Sequence, residues 1–190
     1  DLHDTTIRIL KELGVKVMGA NVRALFAAAG AKIDDDGVVR IDETHVEAAL
    51  ATAPRAFNLT PRNPARRVGF GGDQLVFGLV AGPPNVHDRV NGRRSGSLED
   101  YRNFIRLAQH FNVIHMIGNQ VTAPQELPAN NRHLDTYLAN LTLSELAFHC
   151  TAIGRGRAMD GIRMMAISRG VSLEDMARDP GVTTIISVNS

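Results

Sequence analysis

The stretch that decides the fold is Ser97–Gln120, which reads SLEDYRNFIRLAQHFNVIHMIGNQ. Ser97 and Asp100 have the spacing of a capping box, in which each side chain accepts a hydrogen bond from the backbone N–H of the other residue. They predict the start of a helix, whose apolar positions then recur at helical spacing. Val113–Gln120 follows as an apolar run and predicts a strand. A helix leading directly into a strand is the repeating unit of a parallel α/β sheet.

Further elements of the same kind lie on both sides of this stretch. They are a strand at Leu75–Val80, a helix opened by Asn131 that runs through Leu134, Leu138 and Leu141, a strand at Leu146–Cys150, a helix over 157–169, a short helix from a second capping box at Ser172–Asp175, and a strand at Val182–Val188. This alternation predicts about four right-handed βα units. A (β/α)₈ barrel needs eight and roughly 250 residues, so we expect half a barrel. An open doubly wound sheet would accommodate the same count.

The chain divides by character into three regions. Residues 1–54 show helical periodicity and predict a small helical head. Residues 55–95 are rich in Gly, Pro and Asn and predict a β-hairpin connector that includes the first barrel strand, with a tight turn at Asn91-Gly92. Residues 96–190 hold the βα units of the incomplete barrel. The predicted fold class is therefore α/β.

Composition excludes several classes of protein. Hydrophobic residues make up 44% and charged residues 22%, which excludes wholesale disorder. The 21 Lys and Arg residues nearly balance the 20 Asp and Glu residues, which argues against a general nucleic-acid binder. A single cysteine excludes a disulfide scaffold and a zinc site of the paired-cysteine kind. No apolar run approaches the roughly 18 residues of a membrane span, so we expect a cytoplasmic protein with no membrane partner.

The two termini predict a piece of a longer chain. The first residue is Asp1 rather than Met, and the predicted strand at Val182–Val188 reaches almost to the last residue. Four barrel strands would leave open edges and an uncovered apolar face. We therefore expect the chain to form a homo-oligomer, and we expect it to have no activity alone.

Short motifs in a fixed order carry a family resemblance. They are Ala28-Ala29-Gly30-Ala31, Val38-Val39-Arg40-Ile41, Ala51-Thr52-Ala53-Pro54-Arg55, Arg62-Asn63-Pro64, Phe70-Gly71-Gly72, Phe77-Gly78, Ser97-Leu98-Glu99-Asp100, Arg132-His133-Leu134-Asp135 and Ile186-Ser187-Val188-Asn189. Each motif is weak alone, whereas their order and spacing are much more specific. Together they resemble the amino-terminal portion of the trimethylamine methyltransferase family, which includes glycine betaine methyltransferases.

The resemblance implies a helical head followed by a (β/α)₈ barrel. It also implies methyl transfer from a methylated or quaternary amine, such as trimethylamine or glycine betaine, to the Co(I) corrinoid of a separate partner protein. The corrinoid would then be carried by the partner and not held tightly by this chain. A quaternary ammonium departs as a neutral amine, so the enzyme mainly has to orient the methyl group and exclude water.

Candidate site residues lie where the predicted strands end, because barrel enzymes place their sites at the carboxyl ends of strands. The amides of Asn119 and Gln120 could bind a substrate carboxylate or could bond to neighbouring loops. His149 and Asn189 are further candidates for substrate binding, each with a structural role as the alternative. The candidates for contact with the corrinoid are Gly82 and Asn85, which could equally serve a loop of unusual backbone geometry.

Other functions stay open at this point. A related barrel could bind a methylated amine as a sensor or scaffold without catalysis, and an unrelated (β/α)₈ enzyme would share the same pattern. The sequence assigns no catalytic residue. His149 and Cys150 are neighbours, but successive strand residues point to opposite faces, so we predict no metal site there.

Overall fold

The chain forms two units in the computed structural model, which describes residues 1–118, 120–151 and 153–186. The first unit is Asp1–Arg55, and the second begins at Ala56. Among the described residues, no helix combines the length and the apolar character needed to cross a membrane.

The first unit combines three helices with a small antiparallel sheet. Its elements are α1 (Leu2–Arg8), a π-helical turn (Ile9–Leu13), β1 (Val15–Lys16), α2 (Ala20–Ala28), β2 (Lys32–Ile33), β3 (Val38–Arg40) and α3 (Glu43–Ala51). The strand order is β1-β3-β2. Asp42 caps α3 by accepting a hydrogen bond from the backbone of His45. The two-residue strands β1 and β2 were not predicted, because so short a strand shows no alternation.

The second unit carries two antiparallel hairpins and a parallel sheet with its helices. Its elements are β4 (Ala56–Leu59), a 3₁₀ turn (Pro64–Arg66), β5 (Val68–Gly71), β6 (Asn85–Asp88), β7 (Gly92–Ser95), α4 (Leu98–His110), β8 (Met116–Ile117), α5 (Arg132–Leu143), β9 (Ala147–His149), α6 (Arg155–Arg169), α7 (Leu173–Arg178) and β10 (Val182–Thr183). Both predicted capping boxes are present, at the starts of α4 and α7.

The parallel sheet keeps its strands in chain order. Strand β9 pairs in parallel with β8 on one side and with β10 on the other. The segment predicted as the first barrel strand, Leu75–Val80, is not a regular strand. It runs beside β8, where Gly78 forms a parallel bridge with Met116 and the backbone N–H of Leu79 donates to the carbonyl of Met116 at 3.3 Å.

One face of this sheet, here called the helix face, packs against the helices. Its side chains Ile117, Phe148 and Val182 belong to one buried cluster with residues from α4, α5, α6 and α7. Helix α4 packs against α5, and α5 packs against α6. The helices therefore follow one another along the same face in the order of their strands.

The buried face of α5 is not the face that carries its leucines. Leu134 and Leu138 have the apolar spacing of a buried helix face, but their exposed fractions are 41% and 54%. The buried positions of α5 include His133, Tyr137 and Asn140. Leu141 is partly buried against the cluster. Hydrogen bonds explain the reversal, because each of the three buried polar side chains has a polar partner on a neighbouring element.

The opposite face of the sheet, here called the far face, is covered at its amino end by the hairpin β4–β5. Leu59 of the hairpin packs on Met116 and Ala147 of the sheet, and all three side chains are buried. Phe70 and Val76 lie against the same cluster. This arrangement leaves the carboxyl edge of the sheet, where the strands end, as the side on which long loops meet.

Candidate functional site at the carboxyl edge of the sheet

The loops after the first two strand segments are joined directly through Gly82 and Gln120. The backbone N–H of Gly82 donates to the carbonyl of Gln120 at 2.9 Å. Gln120 has a φ of 40°, in the left-handed region that side chains other than glycine seldom occupy. Strained backbone of this kind persists only where the surroundings enforce it. These two predicted site residues are therefore brought together.

Close packing of backbone explains the glycine at position 118. A Cβ atom there would lie 2.0 Å from the carbonyl oxygen of Leu79, so no larger residue fits without moving the chain. At Gly82, by contrast, a Cβ would meet no atom within 4 Å. The backbone at Gly82 is thus open on one side, which leaves room for a ligand to approach it closely.

A second set of hydrogen bonds ties the same loops together further out. The carbonyl of Pro83 accepts from the backbone N–H of Ala123 at 3.0 Å and from the hydroxyl of Thr122 at 3.2 Å. Gly96 donates to the carbonyl of Pro84 at 3.0 Å and accepts from the backbone of Gln125 at 2.9 Å. Three separate segments, residues 82–84, Gly96 and residues 120–125, therefore form one hydrogen-bonded rim at the carboxyl edge.

Asn85 lies next to this rim as the first residue of β6. It is half-buried, and its register partner across the hairpin β6–β7 is Ser95. The turn predicted at Asn91-Gly92 is present, with Gly92 at a φ of 66°. The predicted contact residue thus sits on a regular strand and not on an irregular loop.

His149 and Cys150 point to opposite sides of the sheet, as strand alternation requires. His149, the last residue of β9, pairs in register with Thr183 and is half-buried on the far face. Burial lowers the pKa of His149, which favours the neutral imidazole. Cys150 is buried in the cluster on the helix face. Burial raises the pKa of the Cys150 thiol to about 12, so the thiol stays protonated at neutral pH.

The remaining predicted positions, Asn119 and Asn189, lie outside the described residues. Within the described ranges, no three His, Cys, Asp or Glu side chains are grouped so that they could hold a metal ion.

A polar cluster behind the strands was not predicted as part of the site. The hydroxyl of Tyr137 accepts from the backbone N–H of Thr151 at 2.7 Å and donates to the carbonyl of Arg157 at 3.4 Å. Nε2 of His133 lies 3.0 Å from a carboxylate oxygen of Asp160, while its Nδ1 is buried without a hydrogen-bond partner. These hydrogen bonds hold α5 and the start of α6 next to the end of β9.

The sequence did contain a signal for this cluster. His133, Tyr137 and Asn140 are spaced so that they share one face of a helix. Three leucines on the neighbouring positions gave the stronger apolar signal and concealed it. The hydroxyl of Tyr101 donates to the side-chain oxygen of Asn140 at 2.7 Å, which completes the buried polar face.

The fold and this edge define a class of α/β protein in which parallel strands follow chain order and their carboxyl ends share one loop rim. Comparison with known families is more specific. A model of the trimethylamine methyltransferase (MTTB) family matches residues 1–190. The chain belongs to this family, as its motifs predicted.

Individual relatives agree with that assignment. The chain is 33% identical over 169 residues to a glycine betaine methyltransferase of Desulfitobacterium hafniense (strain Y51), covering 89% of this chain and 35% of that protein. It is 25% identical over 178 residues to a proline betaine:corrinoid methyltransferase of Eubacterium limosum, and 26% identical over 143 residues to an L-carnitine:corrinoid methyltransferase of the same organism. The chain spans about a third of the length of these curated relatives.

Proposed function

We propose that this chain is the amino-terminal part of a methyltransferase that moves a methyl group from a methylated amine to the Co(I) corrinoid of a partner protein. The family match over residues 1–190 is the observation that carries the proposal. Several relatives are named as methyltransferases for glycine betaine, proline betaine and L-carnitine, and two of those names include the corrinoid.

The arrangement of the second unit supports half of a (β/α)₈ barrel over a doubly wound sheet. Helices α4, α5 and α6 pack one after another on the helix face. A doubly wound sheet would place helices on both faces. Here the far face carries a β-hairpin at its amino end instead, and strands β8, β9 and β10 follow chain order. The far face would become the barrel interior when further strands continue the sheet.

The substrate class that fits best is a quaternary amine bearing a carboxylate. Glycine betaine, proline betaine and carnitine are all of this kind, and each names a relative of the chain. A quaternary nitrogen leaves as a neutral amine and needs no proton donor. A neutral His149 and the uncharged amide of Gln120 suit such a site, since neither adds a positive charge beside the ammonium group.

The chain's own residues would orient the substrate and exclude water. The amides of Gln120 and Asn119 would donate to the substrate carboxylate, and His149 and Asn189 would contribute further polar contacts from the neighbouring strand ends. Gly82 and Asn85 would lie against the corrinoid, at the rim where the backbone is open. Co(I) supplies the nucleophile for the methyl group, and the protein supplies alignment.

Methylation of the corrinoid tests this proposal directly. The full-length protein containing this chain is mixed with its reduced corrinoid protein and with a panel of glycine betaine, proline betaine, carnitine and trimethylamine, and conversion of Co(I) to methyl-Co(III) is followed by absorbance. We expect turnover with at least one carboxylate-bearing quaternary amine and none with residues 1–190 alone. Turnover by residues 1–190 alone would contradict the half-barrel, and no turnover with any amine would contradict the function.

A side-chain substitution at the rim tests the site. We expect Gln120→Gly to lower methyl transfer by roughly tenfold, equivalent to about 1.4 kcal/mol, because it removes the amide. Glycine accepts the φ of 40° without strain, so the melting temperature should not fall. Intact activity in this variant would assign Gln120 to structure. The matched control is Gln125→Gly, which removes an exposed side-chain amide that donates to the nearby carbonyl of Ala123 at 3.2 Å.

A further inference from the structure

The hairpin β6–β7 has two chemically different faces. On one face, Val86 is buried and Arg94 donates to both carboxylate oxygens of Asp100 at 2.5 and 2.6 Å. The Arg94 guanidinium holds the pKa of Asp100 well below its usual range, so this ion pair persists at neutral pH. Asp100 belongs to the first turn of α4. The hairpin is therefore anchored to the start of that helix through this face.

The other face of the hairpin is polar, exposed and basic. Strand alternation and register place Asn85 opposite Ser95 and His87 opposite Arg93 on this side. His87 and Arg93 are exposed, and Arg89 follows them at the exposed turn. Among the described residues, neither Arg89 nor Arg93 forms an ion pair, in contrast to Arg94 on the anchored face. The outer hairpin face, defined as Asn85, His87, Arg89 and Arg93, thus carries two arginines that no ion pair within the described residues engages.

The position of the outer hairpin face links it to the candidate site. The hairpin begins at Pro84 and ends at Gly96, which are hydrogen-bonded to each other. The same two loops are bonded to the segment that follows Gln120. The hairpin therefore stands on the rim of the carboxyl edge, so a protein that delivers a reactant to this edge would meet it.

We propose that the outer hairpin face is the docking surface for the corrinoid-carrying protein, which would present acidic side chains to it. This inference rests on the proposed function. A protein surface fits better than a nucleic acid, because the patch holds only two arginines and a histidine and the whole chain has a net charge of +1. Opposite charges at the edge of an interface mainly accelerate association and set its salt dependence.

Charge reversal in the full-length protein tests the docking surface. The variant Arg89→Glu/Arg93→Glu is compared with Arg62→Glu/Arg66→Glu, which reverses two charges next to the hairpin that covers the amino end. We expect the first variant to raise KM for the corrinoid protein at least tenfold and to lose most of its salt dependence. Its rate with free cob(I)alamin as acceptor, its KM for the amine and its melting temperature should match wild type. Arg62 donates a hydrogen bond to the carbonyl of Ser144, so the second variant is judged by its KM values and salt dependence, which should match wild type, and not by its melting temperature.

Three results would overturn the docking surface. An unchanged KM for the corrinoid protein in Arg89→Glu/Arg93→Glu would show that the face is not used. An equally large loss of rate with free cob(I)alamin as acceptor would show that the face acts on the corrinoid or on the candidate site, and not on the partner protein. An equal rise of this KM in the Arg62→Glu/Arg66→Glu control would show that the effect comes from the changed net charge and not from the outer hairpin face. The single variant Arg93→Ala introduces no negative charge and should raise KM for the corrinoid protein about threefold. It provides the test if the double variant does not fold.

Direct binding separates this inference from the proposed function. Titration of the corrinoid protein into the full-length protein by calorimetry needs no turnover. We expect Kd to rise at least tenfold in Arg89→Glu/Arg93→Glu. If the wild-type protein shows no turnover but the variant still shows this rise in Kd, the methyltransferase activity is contradicted and the docking surface is supported. Equal Kd values in wild type and variant would overturn the surface even if the enzyme is active.

Discussion

The two ends of the far face differ in what covers them. At the amino end, Leu59 packs on Met116 and Ala147, and all three are buried. Toward the carboxyl end, alternation from Gly78 places Val80 on the same face, where its exposed fraction is 79%. Ile185, beyond β10, is 66% exposed. The chain therefore closes one end of the sheet with its own hairpin and leaves apolar side chains uncovered at the other.

We propose that this difference separates a part of the sheet that serves stability from a part that serves function. In (β/α) enzymes the amino ends of strands serve the fold and the carboxyl ends carry the site. The covered end here has an apolar contact, whereas the open end has a hydrogen-bonded loop rim, a half-buried His149 and a strained Gln120. Exposed apolar residues such as Val80 predict association with further strands or with another copy of the chain.

The largest expected effect on stability comes from Gly118, at the boundary between the two ends. Gly118→Ala would place a Cβ 2.0 Å from the carbonyl of Leu79, so the backbone must move. We expect a loss of about 3 kcal/mol in the free energy of unfolding, measured by urea unfolding. The control is Gly156→Ala in the first turn of α6. A Cβ there meets no atom within 4 Å, so this change should not destabilise the protein and should add at most about 1 kcal/mol. A Gly118→Ala variant as stable as wild type would disprove the close approach.

The second prediction compares one apolar truncation at each end of the far face. Leu59→Ala should cost about 2–3 kcal/mol, because it opens a cavity over Met116 and Ala147. Val80→Ala should cost less than about 0.5 kcal/mol in residues 1–190, since its side chain is mostly exposed. In the full-length protein we expect Val80→Ala to become costly, because further strands would cover it. Equal losses of stability for Leu59→Ala and Val80→Ala in residues 1–190 would contradict the difference in coverage between the two ends.

The third prediction concerns the support behind His149. Tyr137→Phe leaves the buried backbone N–H of Thr151 without its acceptor at 2.7 Å and should cost about 1–2 kcal/mol. The control is Thr142→Ala on the same helix, whose exposed hydroxyl bonds only to the carbonyl of Leu138. Thermal unfolding of both variants provides the comparison. An unchanged melting temperature for Tyr137→Phe would mean that the loop after β9 does not depend on this hydroxyl.

The smallest expected effect is the pH dependence of the stability that Asp179 contributes through its contact with Thr60 at the amino end of the far face. The hydroxyl of Thr60, together with Arg169, holds the pKa of Asp179 below its usual range. A lowered pKa in the folded state contributes stability above the unfolded value of about 3.9, and this contribution is lost as pH falls through the folded pKa.

Asp179→Asn should therefore lower the stability at neutral pH by less than about 1 kcal/mol, given how exposed the carboxylate is. Near pH 3 the variant and wild type should differ less. Melting temperatures of both proteins across this range make the measurement. An equal difference at both pH values would exclude ionisation of Asp179 as the cause.

The local signals in the sequence were sufficient for most helices and for the order of the elements. Ser97 and Ser172 marked helix starts through their own side chains, and both capping boxes are present. Strand extents were overestimated, because an apolar run such as Val113–Gln120 includes residues that pack without ladder pairing. Among the described residues of that run, regular strand is limited to Met116–Ile117.

The buried polar face of α5 could not be deduced from periodicity. Leu134 and Leu138 gave the expected apolar stripe, yet His133 and Tyr137 are the buried residues because Asp160 and Thr151 supply their hydrogen bonds. These partners lie far along the sequence. The bond from Gly82 to Gln120 was likewise invisible, since it depends on tertiary packing of two loops.

Hydrogen exchange at the two ends of the far face tests the central claim most directly. The backbone N–H groups of Gly82, Gly96 and Ala123 report on the carboxyl-edge rim, and that of Thr60, bonded to the carbonyl of Pro180, reports on the amino end. With the full-length protein, addition of glycine betaine and the reduced corrinoid protein should slow exchange at the rim severalfold and leave Thr60 unchanged. Slower exchange at Thr60 with no change at Gly82, Gly96 and Ala123 would contradict a methyl-transfer site at the carboxyl edge.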